Sequence, residues 1–384
     1  NVTTDGTRSW TEQDFATAQF YHISTTNHFP YKVCGAQQDN STLCGPSRQA
    51  GNIAIGDWDD AGGGESGYVT ADPRDPDIVY AGSYSGYLTR KDMRTGLERN
   101  INAWPDNPMG WSSEDIKYKF QWTFPIVISQ HDTKVLYVGG SHLFRSTNEG
   151  QGFDIISGPL ARNDPKTLGA SGGPITKDQT GVETYGTIFT FAESPLSAQV
   201  LWVGTDDGWV QLSRDGGKSW TNVTPKGVGD FARISIIDAS KFNAGTAYMA
   251  ANRFQLDDFS PSLWKTTDFG ATWTKIVSGI AADEFTRVIR EDPERRGLLY
   301  AGTERGVWVS FNDGALWQKI RMPQQPAFHP DMFALQTLGR QAMEAGGGVE
   351  LDDATGGHRP EPFADVALVQ PGRPGQLVAR HLAR

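Results

Sequence analysis

The chain has 384 residues, of which 38% are hydrophobic and in short runs, with 44 Gly, 12 Trp and an aromatic share of 11%. That balance points to an all-β protein rich in turns, and no run of about 18 apolar residues is present to span a membrane. The net charge of −10 argues against nucleic acid as a partner and fits a neutral or cationic ligand, or simply a solvated acidic surface.

From the N-terminus, TTDGTRSW (3–10) is the first and most degenerate form of a motif that recurs as STNEGQGF (146–153), SRDGGKSW (213–220), TTDFGATW (266–273) and SFNDGALW (310–317). The shared pattern is S/T-x-D/N-x-G-x-x-W/F, with the Gly of the first copy displaced to Gly6. Its chemistry is that of a tight hairpin turn. The side chain of Asp5, Asn148, Asp215, Asp268 or Asn312 accepts backbone N–H groups, the Gly takes a φ that other residues avoid, and the aromatic starts the next strand. These five residues are therefore read as structural, not as catalytic acids. The turn resembles the Asp-box, or BNR repeat, of sialidases, sortilins and several glycosidases.

Cys34 and Cys44 could close a small loop disulfide in an exported protein, but nothing else in the pattern enforces pairing, and two free thiols are expected. No His lies near them, and none of the seven His residues is spaced with Cys or carboxylates as metal ligands are, so no metal is expected. GGGESG (62–67) lacks the Lys and following helix of a phosphate cradle, so no cofactor is expected either.

A second pattern precedes each turn motif. IVYAGS (78–83), VLYVGG (135–140), VLWVGT (200–205), TAYMAA (246–251) and LLYAGT (298–303) read as buried strands, each following a loop such as DPRDPD (72–77). One repeat is thus four strands, A to D, with the motif at the C–D turn. Four strands per unit of about 40–50 residues is a β-propeller blade. The spacing predicts six blades, at 17–48, 66–101, 120–157, 186–224, 231–277 and 285–320, with seven in a complete ring. Segment 1–16 reads as the last strand of a preceding blade, so the chain is read as a fragment. Residues 321–384 read as an atypical tail, disordered or frame-shifted.

Propeller topology sorts the loops. A–B and C–D turns lie on one face, B–C loops and D-to-A connections on the other. Segments 49–65, 102–119 and 158–185 and the B–C loop 252–262 are long, and all are expected on the second face, which is therefore the expected binding face. Its candidate ligand residues are Asp39, Asn40, Tyr84, His142, Asp206, Asp207, Arg253, Glu304 and Arg305, with Asp257 and Asp258 beside Arg253. Trp58, Trp104, Trp111 and Trp122 could stack on sugar rings.

The stretches AQFYHIS, GAQQDNST, GGGESGY, NPMGW, FQWTFPI and SGGPITKD, together with KTTDFGATW, resemble a bacterial group of Asp-box propeller proteins with sortilin-like signatures, commonly labelled "glycosyl hydrolase". The resemblance covers residues 1–320 and implies an upstream propeller and a secreted or periplasmic location. Sortilins bind peptides in the propeller channel, which makes a binding module for a peptide or glycan the first expectation. Xyloglucanases with paired propellers of this kind use two carboxylates, the acid lying in a Gly-x-Gly-Asp-x-x-Gly segment. GGGESG is similar, with Glu for Asp and one residue fewer, so Glu65 is the candidate acid of the alternative, a glycoside hydrolase whose second carboxylate lies in the missing propeller. The Arg-Ile-Pro motif of sialidases is absent.

Overall fold

The computed structural model describes residues 19–321 except 179 and 183. The copy at 3–10 with Asp5, the strand read in 1–16 and the tail from 322 onward lie outside the described residues. Blade 1 consists of β1 (Phe20–Thr25), β2 (Lys32–Gln37), β3 (Thr42–Pro46) and β4 (Asp59–Asp60), and blade 2 of β5 (Val69–Ala71), β6 (Ile78–Ser83), β7 (Tyr87–Asp92) and β8 (Glu98–Asn100). Blade 3 holds β9 (Ile126–Ile128), β10 (Leu136–Gly139), β11 (Leu143–Ser146) and β12 (Asp154–Ile155). A separate hairpin, β13 (Ser171–Gly172) and β14 (Lys177–Asp178), sits in the connection to blade 4, which holds β15 (Ile188–Ser194), β16 (Ser197–Thr205), β17 (Val210–Ser213) and β18 (Thr221–Asn222). Blade 5 is β19 (Arg233–Ala239), β20 (Ala247–Arg253), β21 (Asp258–Thr266) and β22 (Thr274–Lys275), and blade 6 is β23 (Thr286–Glu291), β24 (Leu299–Thr303), β25 (Gly306–Ser310) and β26 (Gln318–Lys319).

Each blade is a four-stranded antiparallel sheet in sequential order, so the described residues form an all-β propeller of six blades. Second strands such as β6 are buried throughout, as an apolar run packed on both faces requires. Apolar clusters join each blade to the next, for example Tyr80 and Leu88 of blade 2 with Phe124 and Ile126 at blade 3. Among the described residues no such cluster joins blade 6 to blade 1, and every residue of β1 is only half-buried.

The four recurrent turns share one hydrogen-bond pattern. The Ser or Thr hydroxyl donates to the Asp or Asn side chain and accepts the Gly N–H four residues on, as Ser213 does with Asp215 (2.8 Å) and Gly217 (2.8 Å). The Asp or Asn in turn accepts an N–H four residues on, Ser219 to Asp215 at 2.9 Å. The glycine is needed twice over. Gly150, Gly217, Gly270 and Gly314 all have positive φ. An added Cβ would also strike the residue just past the last strand of the preceding blade: Ile101 at 2.5 Å, Ile156 at 3.1 Å, Val223 at 2.8 Å and Ile276 at 2.6 Å. The turn therefore seats one blade on its neighbour. The indoles of Trp273 and Trp317 repeat the theme, donating to Val223 O and Ile276 O at 2.8 Å.

Buried carboxylates clasp neighbouring blades near the ends of the inner strands. Glu193 on β15 reaches into blade 3, accepting from Ser129 Oγ, the Gln130 N–H and the Tyr137 hydroxyl. Glu291 on β23 occupies the equivalent position against Ser240 Oγ of blade 5.

Three expectations are corrected. Blade 1 does not end at residue 48: its fourth strand, β4, lies inside segment 49–65. The long loop 47–58 is therefore a C–D connection on the face of the recurrent turns, not on the binding face. Two exposed aspartates carry no apolar signature, so β4 was invisible to patterning. The long B–C loop 252–262 is mostly strand, because β20 and β21 extend as a polar hairpin with Arg253 paired to Asp258, leaving only the turn Phe254–Leu256 and Asp257. Lastly, Cys34 and Cys44 are joined as a disulfide, because the β2–β3 register sets them directly opposite with Cα atoms 4.1 Å apart.

Candidate functional site

The face opposite the recurrent turns carries a cleft of about 720 Å³ walled by blades 1 and 2 and by the connections around 101–109 and 180–182. The run GGGESG builds its floor. A Cβ on Gly67 would lie 2.1 Å from the Gly82 backbone and one on Gly64 2.4 Å from Ser83 Oγ, so the run lies flat on β6, with Glu65 projecting into the cleft. Asp39, at φ 57, turns the β2–β3 hairpin toward it. Glu65 Oε2 accepts the Asp39 N–H at 2.7 Å and Gln38 Nε2 at 3.1 Å, while Gln38 Nε2 also donates to Asp39 Oδ1 at 3.0 Å. One amide nitrogen thus bridges the two carboxylates and keeps them close together. Gln38 Oε1 accepts from the Tyr21 hydroxyl, which fixes the orientation of the amide.

Beside the cleft, the propeller channel opens as a cavity of about 580 Å³. Tyr84 of the cleft stacks on Trp122 of the channel, ring centroids 5.2 Å apart, so one aromatic pair spans both.

Asp206 lines the channel. It is 3% exposed and accepts from the Gly186 and Thr187 N–H groups and the Thr187 hydroxyl. Burial, then the neighbouring charge of Asp207, pushes its carboxyl up to about 7. A folded-state value above the ordinary carboxylate value stabilises the fold below about pH 4, and that contribution is lost as pH rises through 7. Asp206→Asn keeps an acceptor for both N–H groups but cannot titrate. Relative to wild type, the variant is expected to gain roughly 3–5 kcal/mol between pH 4 and pH 8, read by urea unfolding. A pH-independent difference would exclude this carboxyl as the cause. The difference is the readout because His22, lowered to about 3 by burial and Arg290, acts in the opposite sense: its contribution is present above its ordinary value of 6.5 and lost on acidification.

The sequence-predicted residues divide. Glu65, Asp39, Asn40 and Tyr84 meet in the cleft, and Asp206 lies in the channel. The others line neither cavity. Asp207 accepts the Arg162 and Asn163 N–H groups and anchors the long connection to blade 4. His142 is held by Ser141 and edge-on to Tyr118, and burial followed by Lys119 lowers its pKa. Arg253 pairs with Asp258, Glu304 with Arg287 and Arg305 with Asp283. Of the tryptophans, Trp58 packs over Gly45, Trp104 packs against Tyr118, Trp111 is exposed, and Trp122 alone lines either cavity. Gln38, Arg233 and Arg287 were missed. Aligning repeats would have found the two arginines, since FARISI (231–236) and FTRVIR (285–290) place Arg two residues after Phe at the start of successive inner strands. Among the described residues no group of three His, Cys, Asp or Glu could hold a metal ion, and no helix is long and apolar enough to cross a membrane.

No family model matches the sequence. A xyloglucanase of Paenibacillus sp is 23% identical over 297 residues, which is 68% of this chain and 27% of that enzyme. The crystal structure of the GH74 xyloglucanase from Xanthomonas campestris is similar with a TM-score of 0.51 at 16% identity, covering 79% of this chain and 47% of that one. An ancestral GH74 enzyme is similar at 18% identity with a TM-score of 0.44, covering 67% and 31%. The chain thus spans about a quarter of the Paenibacillus enzyme's length and about half of the Xanthomonas chain's. At these identities the shared feature is the fold, a β-propeller of the kind found in glycoside hydrolases.

Proposed function

We propose that the chain is a glycoside-hydrolase-type propeller that binds a β-glucan chain in the loop-walled cleft, with Glu65 and Asp39 as its carboxylate pair and Tyr84 and Trp122 as sugar platforms. The observation that carries this reading is the shared Gln38 amide, which brings two carboxylates together beside an aromatic surface. The likeness to xyloglucanases supports it over the sortilin-like peptide-binding expectation. The disulfide supports an oxidising, exported setting.

The test is reducing-end release and binding on xyloglucan and unbranched soluble β-glucans with the full chain. Binding weakened at least tenfold by Tyr84→Ala, with measurable release, is the expected result. Tight peptide binding without glucan binding would overturn the reading, and glucan binding without release would reduce it to recognition alone.

A further inference from the structure

The wall of the channel holds polar groups that the described protein does not satisfy. Gln121 is 9% exposed and Asn252 3%, and both line the cavity. Gln121 uses its oxygen on Thr123, accepting the N–H at 2.8 Å, while its amide N–H groups meet no partner among the described residues. Asn252 donates to Thr286 O at 3.4 Å, and its Oδ1 accepts nothing among the described residues. The Tyr185 hydroxyl makes no hydrogen bond there either, nor does a ring nitrogen of His22, whose imidazole is stacked on Tyr68 with centroids 3.7 Å apart. None of these atoms is sealed off by packing. Polar groups this shielded normally have partners, so four lining one cavity point to a ligand that supplies them.

The charges on the same wall are already engaged. Arg287 is held by Glu304 at 3.1 and 3.0 Å, Arg290 by Asp238 at 2.9 Å, and Arg233 by Gln255 at 2.8 Å with its plane over Phe189. What the channel offers is therefore neutral and mixed. The Gln121 amide donates, Asn252 Oδ1 accepts, and the Tyr185 hydroxyl does either. Asp206 adds an acceptor, since its Oδ2 takes only the Thr187 hydroxyl. A carboxylate ligand only accepts and would leave Asn252 and Asp206 facing a second acceptor. An ammonium only donates and would face the Gln121 N–H groups with three guanidinium groups beside it. A hydroxyl does both, and a ring bearing several of them satisfies the whole set. A volume of about 580 Å³ falls among small-ligand sites, which run from about 300 to 1,000 Å³, and Trp122 and Phe189 give it apolar surface.

We propose that the channel is a second binding site, separate from the cleft, that takes an uncharged pyranose sugar and reads its hydroxyls with Gln121, Asn252 and Tyr185. The choice of a sugar among neutral polyols rests on the glycan reading of the cleft, whereas the neutrality and the three reading residues stand on the channel alone.

Ligand-observed NMR titration of the full chain at pH 6 with glucose, glucuronate and glucosamine, which share one ring and differ in charge, and with cellobiose decides it. Glucose and cellobiose are expected to bind saturably, and both charged sugars at least tenfold more weakly than glucose. Tyr185→Phe removes only a hydroxyl that has no protein partner, so the fold is retained, and glucose affinity should fall about fivefold. Asn252→Ala should cost about tenfold by the same readout. No saturable binding of either neutral sugar up to about 100 mM, equal or tighter binding of a charged sugar, or glucose affinity unchanged in both variants would each overturn the proposal. The last outcome would place the bound sugar in the cleft. Binding is read without turnover on small sugars, so failure of glucan binding or hydrolysis, which bears on the cleft, does not touch this result.

Discussion

Glu65→Gln is expected to lower glucan hydrolysis by roughly 10²–10⁴-fold while leaving glucan affinity within about threefold and the unfolding midpoint nearly unchanged. The reason lies in what the side chain does structurally. Glu65 Oε2 only accepts hydrogen bonds, from the Asp39 N–H and from Gln38 Nε2, and a glutamine carbonyl oxygen of the same size accepts both. The hairpin carrying Asp39 therefore stays in place and only the charge is lost. A carboxylate whose work is to brace the loop would lose nothing measurable in rate, since the brace survives. Asp39→Asn probes the other member of the pair and should fall in the same range. Initial rates of reducing-end release, with glucan binding measured separately, divide the outcomes. A rate loss below tenfold in both variants would remove this pair from the chemistry and return Glu65 to a loop-bracing role.

The blades were legible because their signals are chemical and periodic. The recurrent turns require Gly for two independent reasons, backbone conformation and the close approach of the preceding blade, so the motif cannot drift without cost. The buried second strands are equally constrained, as the fully buried β6 shows. What was not legible has the opposite character. Asp59 and Asp60 form a two-residue edge strand with nothing buried, and the Arg253–Asp258 rung extends a hairpin by a polar pair that reads as loop. Sorting the loops by face did assemble Glu65, Asp39 and Tyr84, because topology alone dictates which turns share an end of the propeller. It scattered His142, Asp207 and Glu304 among the candidates, because partners that neutralise a side chain are not visible in one dimension. Gln38 escaped for a related reason: its role comes from standing between Tyr21, Asp39 and Glu65, three residues far apart in sequence or of unremarkable type.

Glu193→Ala is expected to destabilise the fold by about 3–5 kcal/mol, the largest stability loss of any single substitution considered for this chain. Glu193 is 3% exposed and is the point where blade 4 grips blade 3. Its carboxylate meets Ser129 Oγ at 2.9 and 2.8 Å, the Gln130 N–H at 2.7 Å and the Tyr137 hydroxyl at 3.4 Å. Ser129 Oγ in turn accepts the N–H groups of His131 and Asp132, each at 3.2 Å, so the carboxylate organises the whole turn after β9. Truncation leaves a buried hydroxyl and a backbone N–H without their acceptor, each costing about 1–3 kcal/mol, and opens a void between the blades. Glu193→Gln keeps one acceptor oxygen and should cost less than half as much. The same contact carries a pH signature. Burial, then Glu193, pushes the Tyr137 hydroxyl up to about 12, so its contribution is complete below pH 10 and is lost as pH rises from 10 through 12. Urea unfolding of Glu193→Ala, Glu193→Gln and Tyr137→Phe at pH 8 and pH 10.5 separates the parts. A loss under 1 kcal/mol for Glu193→Ala would mean that apolar packing between blades 3 and 4, through Tyr137, Leu143, Ile188 and Phe191, holds the junction without the clasp.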